Sequence, residues 1–201
     1  MRKRYGISLM VILLAGGLLS APTDRDILVN VIAPRFAYSD SQVGQVLKRH
    51  LSRKADVRVC LVDGDSDIEP AFPHDYLNVD SLVEWGRETG GRYLVTVEII
   101  SERLETRKGF HIPLVVHKYE SVGIIEGEIR LIDLTRGKLV MAEPFRIERK
   151  GPRIFQATMD DDKNDPDLHL TAPDKVRFFA ELEDNLCELL SDRVLAVAGG
   201  R

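Results

Sequence analysis

Cysteine is scarce in this chain, with only Cys60 and Cys187 among 201 residues. Neither follows the apolar run near the amino terminus, so the sequence does not support lipid anchoring through a cysteine there. Neither stands in a local Cys/His pattern, and zinc needs three or four converging ligands. Two other local signatures are missing. One is the G-x-S-x-G turn that exposes a nucleophilic serine; the other is the glycine loop that opens a helix and cradles phosphate. Gly90 and Gly91 close a helix rather than open one. No internal repeat and no low-complexity tract occurs. These absences exclude catalytic chemistry that is legible locally. A site assembled in space from distant residues stays open, and a deep pocket gathering His111, His117 or His169 with carboxylates would mark it.

A long membrane-spanning run is also lacking. Residues 7–19 are apolar apart from Ser8 and two glycines, and Arg2, Lys3 and Arg4 precede them. Asp24, Arg25 and Asp26 end the run too soon for a comfortable span, which needs about 20 apolar residues. A basic start followed by a short apolar stretch reads as a secretory signal over residues 1–21, with a single domain over 22–201. Ala15 and Gly17 suit a signal peptidase, whereas Pro22 after Ala21 does not. Retention as an uncleaved anchor, which would be the chain's membrane contact, therefore stands beside cleavage. The reading places the protein outside the cytoplasm, in the periplasm or attached to the envelope.

Excess positive charge is missing as well. The formal net charge is −4, and removing the first 21 residues leaves 25 basic against 32 acidic side chains. This balance argues against nucleic acid or an anionic membrane surface as partner. Export would carry Cys60 and Cys187 into an oxidising compartment, where they could pair or sit separately as small buried apolar groups.

The chain does contain a core's worth of apolar residues, 44% of the total, and a regular order of elements. Residues 26–33 read as a buried strand. Ser39, with Gln42 three residues on, resembles a capping box before a helix carrying Val43, Val46, Leu47 and Leu51 on one face. Residues 57–62 form a second strand. Asp80 is the expected N-cap of a short helix that turns Leu82, Val83 and Gly86 inward and stops at Gly90. Strands follow over 93–100, 122–133 and 139–149. Tyr93, Val95, Val97 and Ile99 share one face, as do Ile125, Gly127, Ile129 and Leu131; Glu126, Glu128 and Arg130 lie opposite. Gly137 supplies the positive φ of the hairpin at 134–137, and Pro144 marks the last strand as bent or at an edge. Pro173 opens a long helix whose inner stripe is Val176, Phe179, Leu182, Leu186, Leu190 and Val194. The expected fold is α/β (α+β): a mixed five-stranded sheet, order β-α-β-α-β-β-β-α, packed by three helices.

Two segments carry a family resemblance. LVEWGRETGGRYLVTVEI resembles the short helix, glycine break and strand of the CsgG-like family. That group includes the curli secretion channel, the lipoprotein activator of penicillin-binding proteins and the amino-terminal domain of TolB. IRLIDLTRGKLV is similar to the family's strand–turn–strand, where an aspartate precedes a Thr-x-Gly loop. The resemblance covers about 26–197. It implies a non-enzymatic extracytoplasmic module with no catalytic residues and no cofactor, which docks on envelope proteins or assembles with itself. A small secreted hydrolase or ligand-binding enzyme is the alternative. The chain departs from the family in lacking a lipidated cysteine and in having one candidate insertion hairpin, 101–121. Glu102, Arg103, Glu105, Arg107 and Lys108 break its apolar face, so it does not suit a membrane arm of about nine to eleven residues.

The same hairpin holds the candidate interaction site. Arg107, Lys108 and Gly109 are expected to form a basic turn, with Phe110, Ile112, Leu114 and Val116 alternating after it. Arg107, Lys108 and Phe110 are the expected partner-binding residues, while the rest of that stripe is expected to extend the sheet. Asp160, Asp162 and Asn164 match alternate calcium-loop positions. Asp165 stands where glycine is required and Thr171 where a bidentate glutamate is, so no metal is expected there.

Overall fold

The computed structural model describes residues 27–32, 42–55, 57–62, 72–73, 75, 77–112, 116–156 and 170–199. Within these the side chains of 108–112, 116–119 and 152–156 are excepted. The elements are β1 (Ile27–Ile32), α1 (Val43–Lys54), β2 (Val59–Leu61), α2 (Val79–Thr89), β3 (Tyr93–Ile112), β4 (Val116–Asp133), β5 (Lys138–Gln156) and α3 (Ala172–Gly199). This is the expected α+β order. The five strands lie in the sequence β2-β1-β3-β4-β5. β1 runs parallel to β2 and β3, and β3, β4 and β5 form an antiparallel meander.

Strand alternation divides the apolar residues between two layers. Ile27, Val29, Val95, Val97, Ile125, Ile129 and Leu131 face α1 and α3 in the larger cluster. Leu28, Leu94 and Ile132 face α2 in a smaller one. α1 delivers Val43, Leu47 and Leu51, all fully buried, as its periodicity predicts. Along α3 the inner stripe is Phe178, Phe179, Leu182, Leu186, Cys187, Leu190 and Val194. Val176, expected inside, is 54% exposed; the stripe begins at Phe178, whose ring packs edge-on against Phe179. Trp85 on α2 is buried beside Leu82 and Val83, and Phe72 meets its ring edge-on at 5.1 Å.

Helix ends differ from expectation in two places. The α2 cap is Asn78, whose side-chain oxygen accepts from the backbone N–H of Asp80, so Asp80 lies in the first turn. Gln42 is itself the N-cap of α1 and makes no side-chain capping bond; Ser39 lies outside the described residues. Gly90 ends α2 in the left-handed region at φ 74° and Gly137 turns the β4–β5 hairpin at φ 62°, as expected. Asp133 shapes that hairpin. Wholly buried, its Oδ1 accepts from the backbone N–H groups of Thr135 and Arg136 at 3.1 and 3.0 Å and from the Thr135 hydroxyl at 2.6 Å.

The two cysteines are free thiols on opposite sides of the sheet. Cys60 packs at the border of the α2 cluster. Cys187 is buried on the α1/α3 side, its thiol donating to the Val43 carbonyl at 3.5 Å. The pairing considered from sequence is therefore absent from this fold, since the sheet separates the two side chains. The segments 1–26 and 157–169, where the expected signal and the calcium-like positions 160–164 fall, lie outside the described residues.

Candidate interaction surface

β3, β4 and β5 are far longer than the sequence pattern suggests, at 20, 18 and 19 residues. β1 pairs only with Tyr93–Glu98, so β3 continues for another 14 residues in register with β4. The transition is a bulge between Ile99 and Ser101. Ile99 is buried, Ile100 is the extra residue at 65% exposure, and Leu104 re-enters the core. A bulge adds one residue to one strand and so changes which positions face inward. Past it, the odd-numbered Ser101, Arg103, Glu105 and Arg107 share the face of Glu126, Ile124, Val122 and Glu120.

That face carries a closed ring of six charges drawn from three strands. Arg103 grips Glu126 with two guanidinium nitrogens, at 2.6 and 3.1 Å, and donates to Glu105 at 2.7 Å and to the Ser101 hydroxyl at 2.9 Å. Arg146 bridges Glu126 and Glu148. Glu148 receives a two-pronged contact from Arg107 at 2.8 and 3.0 Å, and Arg107 lies 3.8 Å from Glu105, which closes the circuit. Three arginines and three glutamates cancel. Nearby, Arg130 donates to Glu128 at 2.5 Å, and Lys150 pairs with Glu120 at 3.1 Å. Ile124 and Val122 lie in register among these residues and are fully buried. Long charged side chains cover apolar surface with their stems while their heads stay wet.

The ring sets its own electrostatics. Hydrogen bonds from Arg107 and then Arg146 hold the Glu148 carboxyl down at about 2. The Arg103 hydrogen bond lowers Glu126, the Arg130 hydrogen bond lowers Glu128, and the Glu126 and Glu105 hydrogen bonds raise Arg103. These groups remain charged near neutrality and satisfy one another. Among the described residues this surface is a face of paired charges.

The expected basic turn at Arg107–Lys108–Gly109 is not where the strand reverses. β3 runs on to Ile112 and β4 begins at Val116, and Arg107 lies within the paired strand with its guanidinium on Glu148. Lys108 and Phe110 lie beyond it on β3, and their side chains are outside the described residues. The register sets His111 opposite His117. Among the described residues no three metal-ligating side chains gather. No described helix is long and apolar enough to cross a membrane. The charges at alternate positions 103, 105 and 107 were the signal for the ring; they were legible as a strand face once a partner strand with Glu126 was placed beside them.

A second feature lies at the opposite end of the sheet. A cleft of about 440 Å³ opens between the carboxyl ends of α1 and α3 and the first residues of β1 and β3. Ile27, Tyr93, Leu195 and Ala198 form apolar walls, and Lys54 and Arg92 are its charged lining. Lys54 also donates to Asp192 at 2.8 Å, and the Arg92 guanidinium stands 5.2 Å from the centre of the Tyr93 ring.

No family model matches the chain, and no curated protein matches it. Among solved structures it is similar to the hypothetical protein CT253 from Chlamydia trachomatis, with 8% identity over 88% of this chain and 99% of that one, at a TM-score of 0.48. Lipoprotein GNA1162 from Neisseria meningitidis has 14% identity over 78% and 99%, at 0.40. TolB from Acinetobacter baumannii has 16% identity over 62% of this chain and 23% of that protein, at 0.35.

Proposed function

We propose that this chain is an exported, non-enzymatic interaction module of the bacterial envelope, of the CsgG-like and TolB amino-terminal type. It would dock a partner protein through the outer part of the β3–β4–β5 ribbon. The observation that carries this reading is the ribbon itself: three strands continue past the β1-paired part of the sheet, stiffened by a neutral six-charge ring. A rigid, pre-ordered platform lowers the entropy cost of binding. The basic-then-apolar amino terminus supports export. The contact residues in this proposal are Lys108 and Phe110, with Arg107 at the inner boundary, where its side chain is 42% exposed.

The test is crosslinking and affinity capture from envelope extract with the full chain and with Lys108→Ala/Phe110→Ala. The reading expects specific partners to disappear from the variant while its melting temperature is unchanged. Equal capture by both proteins would discard the site. β5 is a terminal strand of the sheet, yet it carries Pro144 and many charges, features that keep edges from pairing. Light scattering is therefore expected to give a monomer, and a ring would redirect the proposal to self-assembly.

A further inference from the structure

We propose that the outer edge of β3, from Ile99 to Arg107, takes an extended, uncharged segment of the partner protein as an added strand of the sheet. This rests on the partner-docking reading above and narrows it to one edge and one mode of binding. On one side β3 is paired with β4 as far as Ile112. On the other it is paired with β1 only from Tyr93 to Glu98. From Ile99 onward, among the described residues, β3 has a strand on one side alone. In the sequence Pro34 stands two positions after Ile32, and proline has no N–H with which to carry the β1 ladder onward. An edge strand turns every second residue's N–H and C=O outward, and an extended peptide pairs with such a row. From Ile99 to Arg107 the edge runs for about 27 Å, enough for a peptide strand of ordinary length.

Two features set this edge apart from β5, the other long edge of the sheet. β5 carries Pro144, whereas no proline or glycine stands between Ile99 and Lys108. Charged side chains usually guard an edge, but here Arg103, Glu105 and Arg107 are drawn into the ring with Glu126 and Glu148. The ring's positive and negative groups already match one another, so a charge on the incoming strand would meet no unmatched partner in it. Ile100, 65% exposed at the bulge, offers an apolar contact at the base of the edge. The occupant these features select is a proline-free, uncharged segment with one β-branched apolar residue to meet Ile100.

The probe is an acetylated and amidated peptide of about seven residues, built from threonine, serine and one valine. It is titrated into the full chain and followed by amide hydrogen exchange. The proposal expects saturable protection at every second amide between Ile99 and Arg107, the period of an edge strand. The same peptide N-methylated at every residue, which has no N–H to give the ladder, should protect nothing. Lysine or glutamate in place of the central serine should each weaken binding by about threefold, within the range of cross-strand pair energies. Ile100→Lys should do the same from the protein's side, with an unchanged melting temperature because the side chain it replaces is exposed. No protection, protection without the two-residue period, equal binding of the methylated peptide, or undiminished binding to Ile100→Lys would overturn the proposal. So would light scattering that shows a dimer lost in Ile100→Lys, since a second copy would then hold the edge. Capture of envelope partners that depends on Lys108 and Phe110, alongside no peptide protection, would remove strand addition and leave the docking reading standing.

Discussion

Gly127 of β4 sits so tightly against Glu98 of β3 that a Cβ atom on it would fall 2.1 Å from the Glu98 carbonyl oxygen. The Phe145 ring would lie 2.5 Å away on the other side. Glu98 immediately precedes Ile99, where the bulge begins, so glycine permits the close approach of backbones there. Gly127→Ala is expected to destabilise the protein by about 1–3 kcal/mol or more, as overpacking does, because backbone cannot rotate away. Urea unfolding measures it, and a loss under about 0.5 kcal/mol would show that the strands have room to part.

Gly44 on α1 gives the opposite expectation. Its added Cβ would meet Val31 and Leu61 at 3.5 and 3.6 Å, ordinary contact distances. Gly44→Ala should raise stability by about 0.5–1 kcal/mol through helix propensity, visible as a higher urea midpoint with an unchanged slope.

Asp133→Ala removes the acceptor for two backbone N–H groups and a hydroxyl in the β4–β5 hairpin. A loss of about 1–3 kcal/mol is expected, with exchange of the Thr135 and Arg136 amides accelerated ahead of the rest of the sheet.

Acid should weaken the fold through the ring. Glu126, Glu128 and Glu148 are held below the ordinary glutamate value of 4.5, and Glu148 reaches about 2. A carboxylate depressed in the folded state stabilises above its unfolded value and stops doing so as pH falls through its folded value. Stability is therefore expected to drop between about pH 4.5 and pH 2. Glu148→Gln should flatten that slope, measured by urea unfolding across the interval. Added salt should reduce the effect, since the ring is solvent-facing.

The thiols should behave independently. Burial, and then the nearby Glu183 and Asp184 charges, push the Cys187 thiol up, which makes it a poor nucleophile in the folded state. A thiol reagent should label half-buried Cys60 first and Cys187 only as the protein unfolds; Cys60→Ser should remove the early phase. Mild oxidation should leave no internal bridge, which mass spectrometry can check.

The sheet's central alternation and the helical stripes were legible in the sequence because each obeys one simple period. Tyr93 to Ile99, Ile125 to Leu131 and the α1 stripe all lie where that period puts them. What escaped was every feature that depends on a partner. Taken alone, Arg107–Lys108–Gly109 reads as the basic turn of a hairpin over 101–121, because the alternating charges before it find their counter-ions on β4 and β5, more than 20 residues away. The bulge at Ile99/Ser101 further hides the inward Leu104 by shifting the period one step. Val176 satisfied the α3 spacing yet is 54% exposed, and the buried stripe begins at Phe178. The cleft joins Ile27, Lys54, Arg92 and Leu195, positions that no local pattern could associate.

The pairing of α1 with α3 bears on how such a chain completes its fold. Arg49, His50 and Lys54 reach Asp184 and Asp192, about 135 positions later, and the last helix supplies Phe179 through Val194 to the larger cluster. Until α3 docks, α1 covers that side of the sheet by itself, and the part of the larger cluster lined by Phe179 through Val194 stays open. Contacts of such long sequence separation form late, because the intervening loop must be closed before they give any return. Docking of α3 on α1 and the sheet is therefore the step that completes the larger cluster.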